Sequence, residues 1–170
     1  MVLTEEVETR IIEILDSVEF TSDLYEGLTK EKREELGQVY TPARICIKML
    51  EQFKCEDFAG KTMLDPACGS GNLLIACLIA GADSDKLYGN ELDPVAVKLC
   101  RKRVNRACDL LGKPRINDWQ IHLGDATDSF CLTYFGPDYK QKLEEHFLDG
   151  QYSLFPMLTK DQEEFLMDVD

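Results

Sequence analysis

The segment Asp65-Pro66-Ala67-Cys68-Gly69-Ser70-Gly71-Asn72 stands between a short apolar run, Thr62-Met63-Leu64, and the helix-length apolar stretch from Asn72 to Ala80, which Gly81 ends. No other feature constrains the chain as much. Glycine has no Cβ, so backbone at Gly69 and Gly71 can approach a ligand closely, and the amides that open the following helix favour an anion. A strand that runs into such a loop and then into a helix is a unit of a parallel α/β sheet, which binds ligands beyond the carboxyl ends of its strands. The loop does not name its ligand. Leu74 stands where a dinucleotide fingerprint needs its third glycine, and no Gly-Lys-Ser/Thr follows for a triphosphate, so the NAD and ATP readings lose ground.

The alternation continues downstream. Lys86 to Glu91 reads as a second strand, Pro94 to about Leu111 as a long helix broken by Gly112-Lys113-Pro114, and Trp119 to Leu123 as a third strand. Strand, helix, strand, helix, strand implies a parallel sheet with right-handed crossovers. Upstream, residues 1–36 read as a mostly polar helical segment. Val7, Ile11, Ile12, Ile14 and Leu15 lie near one stripe of a helix over 4–16, and a second helical piece runs over about 29–36 and ends at Gly37. Thr41-Pro42 reads as a cap and first-turn proline for a helix over about 42–53, with Cys46, Met49, Leu50 and Phe53 toward the core. Phe130 to Phe135 is a candidate fourth strand and 138–148 a candidate helix. Residues 161–170 are acidic without a lysine or arginine, which suits a frayed or partner-binding tail.

Three acids fall at strand ends beside the glycine loop. Asp65 closes the first strand. Glu91 closes the second about 20 residues beyond the glycines, where an acid suits the two hydroxyls of a ribose. Gly124-Asp125 closes the third, with a carboxylate able to accept from an adenine amino group. Asp93 reads as the cap of the helix that Pro94 begins.

With these motifs in order (Gly37-Gln38-Val39-Tyr40-Thr41-Pro42, the glycine loop, Tyr88-Gly89-Asn90-Glu91-Leu92-Asp93-Pro94, Leu123-Gly124-Asp125), the chain resembles the adenine-specific (N6) DNA methyltransferases over about residues 37–125. The likeness is greatest to the modification subunits of type I restriction systems and their phage relatives. The resemblance implies an α/β, Rossmann-like class I methyltransferase fold, here with a truncated parallel sheet and an N-terminal helical segment. It divides the chain into a helical segment 1–36, a methyltransferase-like domain 37–150 and an acidic tail 151–170. It also implies S-adenosylmethionine as cofactor. Tyr40, Thr41 and Pro42 would line the methionine end, and Asp65 with backbone at Ala67, Gly69 and Gly71 would hold the amino and carboxylate groups. Glu91 and its neighbour Leu92 would take the ribose, and Asp125 with Ala126 the adenine ring.

The family's catalytic tetrapeptide is asparagine, aspartate or serine, two prolines, then tyrosine or phenylalanine. Its oxygens accept from the target amine and its ring stacks on the flipped base. That tetrapeptide does not occur in this chain. The nearest candidate is Gly136-Pro137-Asp138-Tyr139, whose glycine has no polar side chain. Two expectations follow: an adenine-N6 DNA methyltransferase of a modification or restriction-related pathway, or a catalytically silent cofactor-binding protein, such as a phage modulator, acting through a methyltransferase or restriction partner. A fragment of a longer methyltransferase is a third. The family's sheet has seven strands, so a short sheet exposes the first strand as an edge that invites a homodimer or a second subunit.

Charge bears on the substrate. The formal net charge of −13 repels DNA, whose affinity for proteins comes largely from phosphate neutralisation. A basic cluster, Lys98, Arg101, Lys102, Arg103 and Arg106, lies on the helix after the second strand. It reads as a solvated face or a phosphate-contacting stripe, with Val95, Leu99, Val104 and Leu111 packed on the sheet. DNA is therefore reached directly or through a partner's basic surface. The seven cysteines are spread without a Cys-x-x-Cys pair and read as packed, reduced thiols, with no metal site expected. No apolar stretch is long enough for a membrane span and the N-terminus lacks a signal-peptide pattern, so a cytoplasmic location in a bacterial or phage-infected cell is expected.

Overall fold

A computed structural model describes residues 3–25, 40–53 and 57–126. Thr4 caps the first helix, α1 (Glu5–Leu15), by accepting from the Val7 amide at 3.4 Å, and Glu5, Glu6 and Glu8 set negative charge against the helix's positive end. Ser17 then caps α2 (Val18–Tyr25), its hydroxyl oxygen accepting from the Phe20 amide at 3.3 Å. Next come α3 (Ala43–Glu51), β1 (Met63–Asp65), α4 (Asn72–Ile79), β2 (Leu87–Glu91), α5 (Pro94–Leu111) and β3 (Ile121–Leu123). Short 3-10 turns at Ser84–Lys86 and Asp118–Gln120 lead into β2 and β3.

The sheet is parallel in the order β1-β2-β3, with Asp65 opposite Gly89 and Glu91 opposite Leu123. Two successive crossovers in one direction put α4 and α5 on the same face, where they pack on each other and on the strands. α4 is apolar almost all round, and α1, α3 and α5 all bury surface against it. Ile11, Leu15 and Phe20 therefore share one core with Cys46, Leu50, Leu74, Ile75 and Val104, so the N-terminal helices are part of the same packing unit as the sheet. Met63 turns into this helix layer. Leu64, its neighbour in the pleat, is 46% exposed on the other face.

Several expectations need correction. Pro42, with extended backbone, holds the capping position of α3, and Thr41 makes no side-chain cap. The buried residues of α3 are Ala43, Cys46, Ile47 and Leu50, while Met49 and Phe53 are exposed, because the core contacts only a narrow stripe of this helix. On α5 the buried stripe is Ala96, Val97, Cys100, Arg103, Val104, Ala107 and Cys108, with Val95 exposed. Arg103 thus leaves the basic cluster for the interior. Of its neighbours, Arg101 donates to the Ile121 carbonyl at 2.8 Å and Arg106 pairs with Glu19, so this face is knitted into the fold. Trp119 and Gln120 precede the third strand, because the Gln120 amide donates to the Ser84 and Leu87 carbonyls at 2.7 and 2.8 Å. The expected helix at 29–36, the fourth strand, the helix at 138–148 and the tail lie outside the described residues.

Cys46, Cys68, Cys77, Cys100 and Cys108 are buried free thiols. Burial pushes the Cys77 thiol up to about 12 and those of Cys46 and Cys108 up to about 11, so they stay protonated. No helix among the described residues is long and apolar enough to cross a membrane.

Candidate functional site

Pro66 cannot extend β1, so the chain turns at Asp65, whose carboxylate accepts from the Ala67 amide at 3.2 Å. A second turn closes between the Gly71 amide and the Cys68 carbonyl at 2.8 Å, and α4 begins at the next residue. Arg103 reaches up from α5 to donate to the Ser70 carbonyl at 2.6 Å, bracing the loop from beneath.

Glu91, at the end of β2, binds the same loop. Its Oε2 accepts from the Gly69 amide at 2.8 Å, and its Oε1 from the amides of Leu92 at 2.8 Å and Asp93 at 2.9 Å. Asn90 ties the strand ends together. Its Nδ2 donates to the Pro66 and Gly124 carbonyls at 3.3 and 2.8 Å, and its main-chain carbonyl accepts from the Cys68 amide at 2.9 Å. With the amide so oriented, Asn90 Oδ1 accepts from His122 Nδ1 at 2.9 Å. Burial, helped by the nearby Arg101 guanidinium, pushes the His122 imidazole down to about 4, so it is neutral with its proton on Nδ1.

Beside this framework lies a cleft whose lining includes Tyr40, Thr41, Asp65, Ala67, Gly69 and Asn72. The segment before α3 is fastened to it, because Asn72 Nδ2 and Cys46 Sγ both donate to the Thr41 carbonyl, at 2.8 and 3.7 Å. Gly69 takes the left-handed φ of +52°, and a Cβ there would meet nothing within 4 Å. Burial, with a contribution from the Glu91 charge, raises the Asp65 carboxyl above the ordinary carboxylate range. No lysine, arginine or histidine among the described residues lines the cleft. It offers hydrogen-bond acceptors and invites a ligand rich in donors or positive charge.

Of the residues singled out by sequence, Tyr40, Thr41, Asp65, Ala67 and Gly69 meet in this cleft, and Glu91 adjoins it through Gly69. Pro42 is exposed outside it. Gly71 also lies outside: at φ +87° it packs against α5, where a Cβ would fall 2.8 Å from Cys100 Sγ and 3.2 Å from Val104 Cγ2. Leu92, Asp125 and Ala126 stand at the carboxyl edge of the sheet but do not line the cleft, and Leu92 and Asp125 are exposed. Gly136, Pro137, Asp138 and Tyr139 lie outside the described residues. Sequence reasoning gave Asn72, Asn90 and His122 no role of their own, and placed Arg103 in the basic cluster rather than beneath the loop. Their signal was a polar residue at a position that helix or strand periodicity assigns to the core.

The family model for N-6 DNA methylases matches residues 17–127, from just before α2 to just past β3. The type II methyltransferase M.VspI of Vibrio sp. (strain 343) is 33% identical over 88 residues, covering 51% of this chain and 21% of that protein. The ribosomal protein L11 methyltransferases of Photobacterium profundum and Escherichia coli are each 39% identical over 62 residues, covering 36% of this chain and 19% and 20% of those proteins. The chain thus spans about a fifth of the length of these curated relatives. No solved structure matches it. The sheet, the loop and the family match agree, and the chain belongs to the N-6 DNA methylase family.

Proposed function

We propose that the chain binds S-adenosylmethionine in the cleft beside the glycine loop and serves adenine-specific DNA methylation in a modification or restriction-related pathway. One observation carries the cofactor reading. The loop amide a phosphate would need, that of Gly69, already serves Glu91, while the cleft is lined by the Asp65 carboxylate and by no lysine, arginine or histidine among the described residues. A dinucleotide's pyrophosphate fits this poorly. A nucleoside with hydroxyl donors and an amino-acid tail fits it well, and the space above Gly69 leaves room for close approach. Asp65 and Asn72 would hold the amino-acid end, Glu91 a ribose hydroxyl through its remaining lone pair, and Asp125 the adenine amino group. Tyr40 and Thr41, tethered through Asn72, would wall the methionine end and exclude water. When bound, the cofactor supplies a methyl group on positively charged sulfur. The chain's part is positioning and acceptor groups.

The likeness to both a type II methyltransferase and ribosomal protein L11 methyltransferases supports methyl transfer more directly than it supports DNA as the acceptor. Labelled methyl transfer to unmethylated duplex DNA tests the reading. The expected product is N6-methyladenine. Transfer to RNA or protein instead of DNA would replace the substrate assignment. The formal net charge of −13, which repels DNA, favours a second reading, a cofactor-binding partner of another methyltransferase subunit. Saturable cofactor binding without methyl incorporation, together with co-purification of such a subunit, would select it.

A further inference from the structure

Two of the buried thiols meet beneath the glycine loop. Cys100 Sγ, on α5, donates to Cys68 Sγ, in the loop, at 3.9 Å. Glycine backbone makes room for both. A Cβ on Gly71 would fall 2.8 Å from Cys100 Sγ, and one on Gly89 would fall 2.8 Å from Cys68 Sγ. The pair is open from one side, because Cys68 lines the cleft and is 6% exposed, while Cys100 is wholly buried behind it. Cys68 is also tied to its surroundings. Its amide donates to the Asn90 carbonyl at 2.9 Å, and the amide of the next residue, Gly69, donates to Glu91 Oε2 at 2.8 Å. Whatever moves Cys68 therefore moves the wall of the cleft.

We propose that Cys68 and Cys100 form an oxidation site, and that a disulfide between them closes the cofactor cleft. This rests on the cofactor reading and adds a means of regulating that site. The oxidant is a peroxide, small and uncharged enough to enter the cleft. Cys68 sulfur bonds to one peroxide oxygen, the O–O bond breaks, and the departing hydroxide takes the thiol proton and leaves as water, giving a sulfenic acid. Cys100 sulfur then bonds to Cys68 sulfur, the S–O bond breaks, and a second water carries away the Cys100 proton. Two thiols and one peroxide thus become one disulfide and two waters, each sulfur giving up one electron and the peroxide oxygens taking both. Contact with Cys100, together with burial, holds the Cys68 thiol well above its ordinary value, so little thiolate is present and the reaction is slow near neutral pH. Both sulfurs are packed against glycine backbone, so the contraction from contact to bond falls on the loop. The loop shifts toward α5 and draws Cys68 from Asn90 and Gly69 from Glu91.

The test oxidises the full chain with excess hydrogen peroxide at about pH 8.5, near the pKa of an ordinary thiol, and removes the peroxide before any titration. Tandem mass spectrometry should find Cys68 joined to Cys100. Calorimetric titration should show affinity for S-adenosylmethionine at least about tenfold below that of the reduced chain, and dithiothreitol should restore it. Cys100→Ala removes one thiol outside the cleft. It should bind like the reduced wild type and keep that affinity after peroxide, and Cys100→Ser takes its place if the alanine variant does not fold. Absence of the Cys68–Cys100 link, unchanged affinity once the link has formed, or an equal loss in the Cys100 variant would each overturn the proposal. If the reduced chain does not bind S-adenosylmethionine, the cofactor reading fails and the regulatory role with it, while the mass spectrum still decides whether the two thiols are an oxidation site.

Discussion

The underside of the glycine loop and its outer side are built in opposite ways. Beneath, there is no spare space. A Cβ on Gly71 would press on Cys100 and Val104, and one on Gly89 would fall 2.8 Å from Cys68 Sγ and 3.0 Å from Leu74 Cδ1. In that layer Arg103 donates to the Ser70 carbonyl and His122 Nδ1 to Asn90 Oδ1. On the outer side, Gly69 faces open space and Asp65 is held against its preferred ionisation. Two glycines two residues apart thus serve different ends, one allowing helix to pack on loop and the other keeping a surface clear. Stability should reside beneath the loop and ligand affinity on its outer side.

Variants can break this division. The largest effect is expected from Gly71→Ala, which combines a left-handed backbone with a clash against α5 and should cost about 3 kcal/mol in urea unfolding. Its binding loss should match the unfolded fraction, and a folded variant with impaired binding would blur the distinction. The next effect belongs to His122. Its folded pKa of about 4 lies below the unfolded value near 6.5, so between these pH values the unfolded chain takes a proton that the folded chain refuses. Stability should fall by up to about 3 kcal/mol as pH drops from 6.5 to 4, and His122→Gln should flatten that slope while cofactor affinity at about pH 7.5 is unchanged.

Glu91 joins the two sides, since its carboxylate holds three loop amides. Glu91→Gln turns one acceptor into a donor and should lose about 1–2 kcal/mol of stability together with about tenfold in cofactor affinity. The smallest stability effect, and opposite in sign, is expected at Asp65. A carboxyl whose pKa is raised by folding disfavours the folded state wherever it is ionised, and that cost disappears as pH falls through the raised pKa. Asp65→Asn keeps the oxygen that accepts from Ala67, so at neutral pH it should raise the unfolding midpoint slightly while weakening cofactor binding. A drop in both would place Asp65 with the structural layer.

Residues that punctuate the backbone made much of this legible in the sequence. Asp93-Pro94 and Gly112 bound α5 as expected, with Asp93 accepting from the Val95 amide at 2.9 Å, and Asp65-Pro66 ends β1. The strand-end acids were legible because a parallel sheet delivers strand ends to one edge, whereas Tyr40-Thr41 came from the family resemblance alone. What escaped depends on tertiary contacts. Arg103 shares the spacing of Cys100, Val104 and Ala107, yet its charge drew it into a basic cluster that the fold divides. Gln120 forms a turn because its amide serves two carbonyls brought near only by folding. Gly69 and Gly71 look alike in sequence, and only the position of α5 separates their roles.

The most direct test of the central claim is titration of the wild-type chain and Gly69→Ala with S-adenosylmethionine, with thermal unfolding recorded on the same samples. The wild type should bind one molecule per chain. The variant, with a methyl group placed in the space kept for the ligand, should bind at least about tenfold more weakly while losing only about 1–2 kcal/mol of stability for its left-handed backbone. Absence of binding by the wild type, or equal binding by both proteins, would contradict the assignment of this cleft to the cofactor.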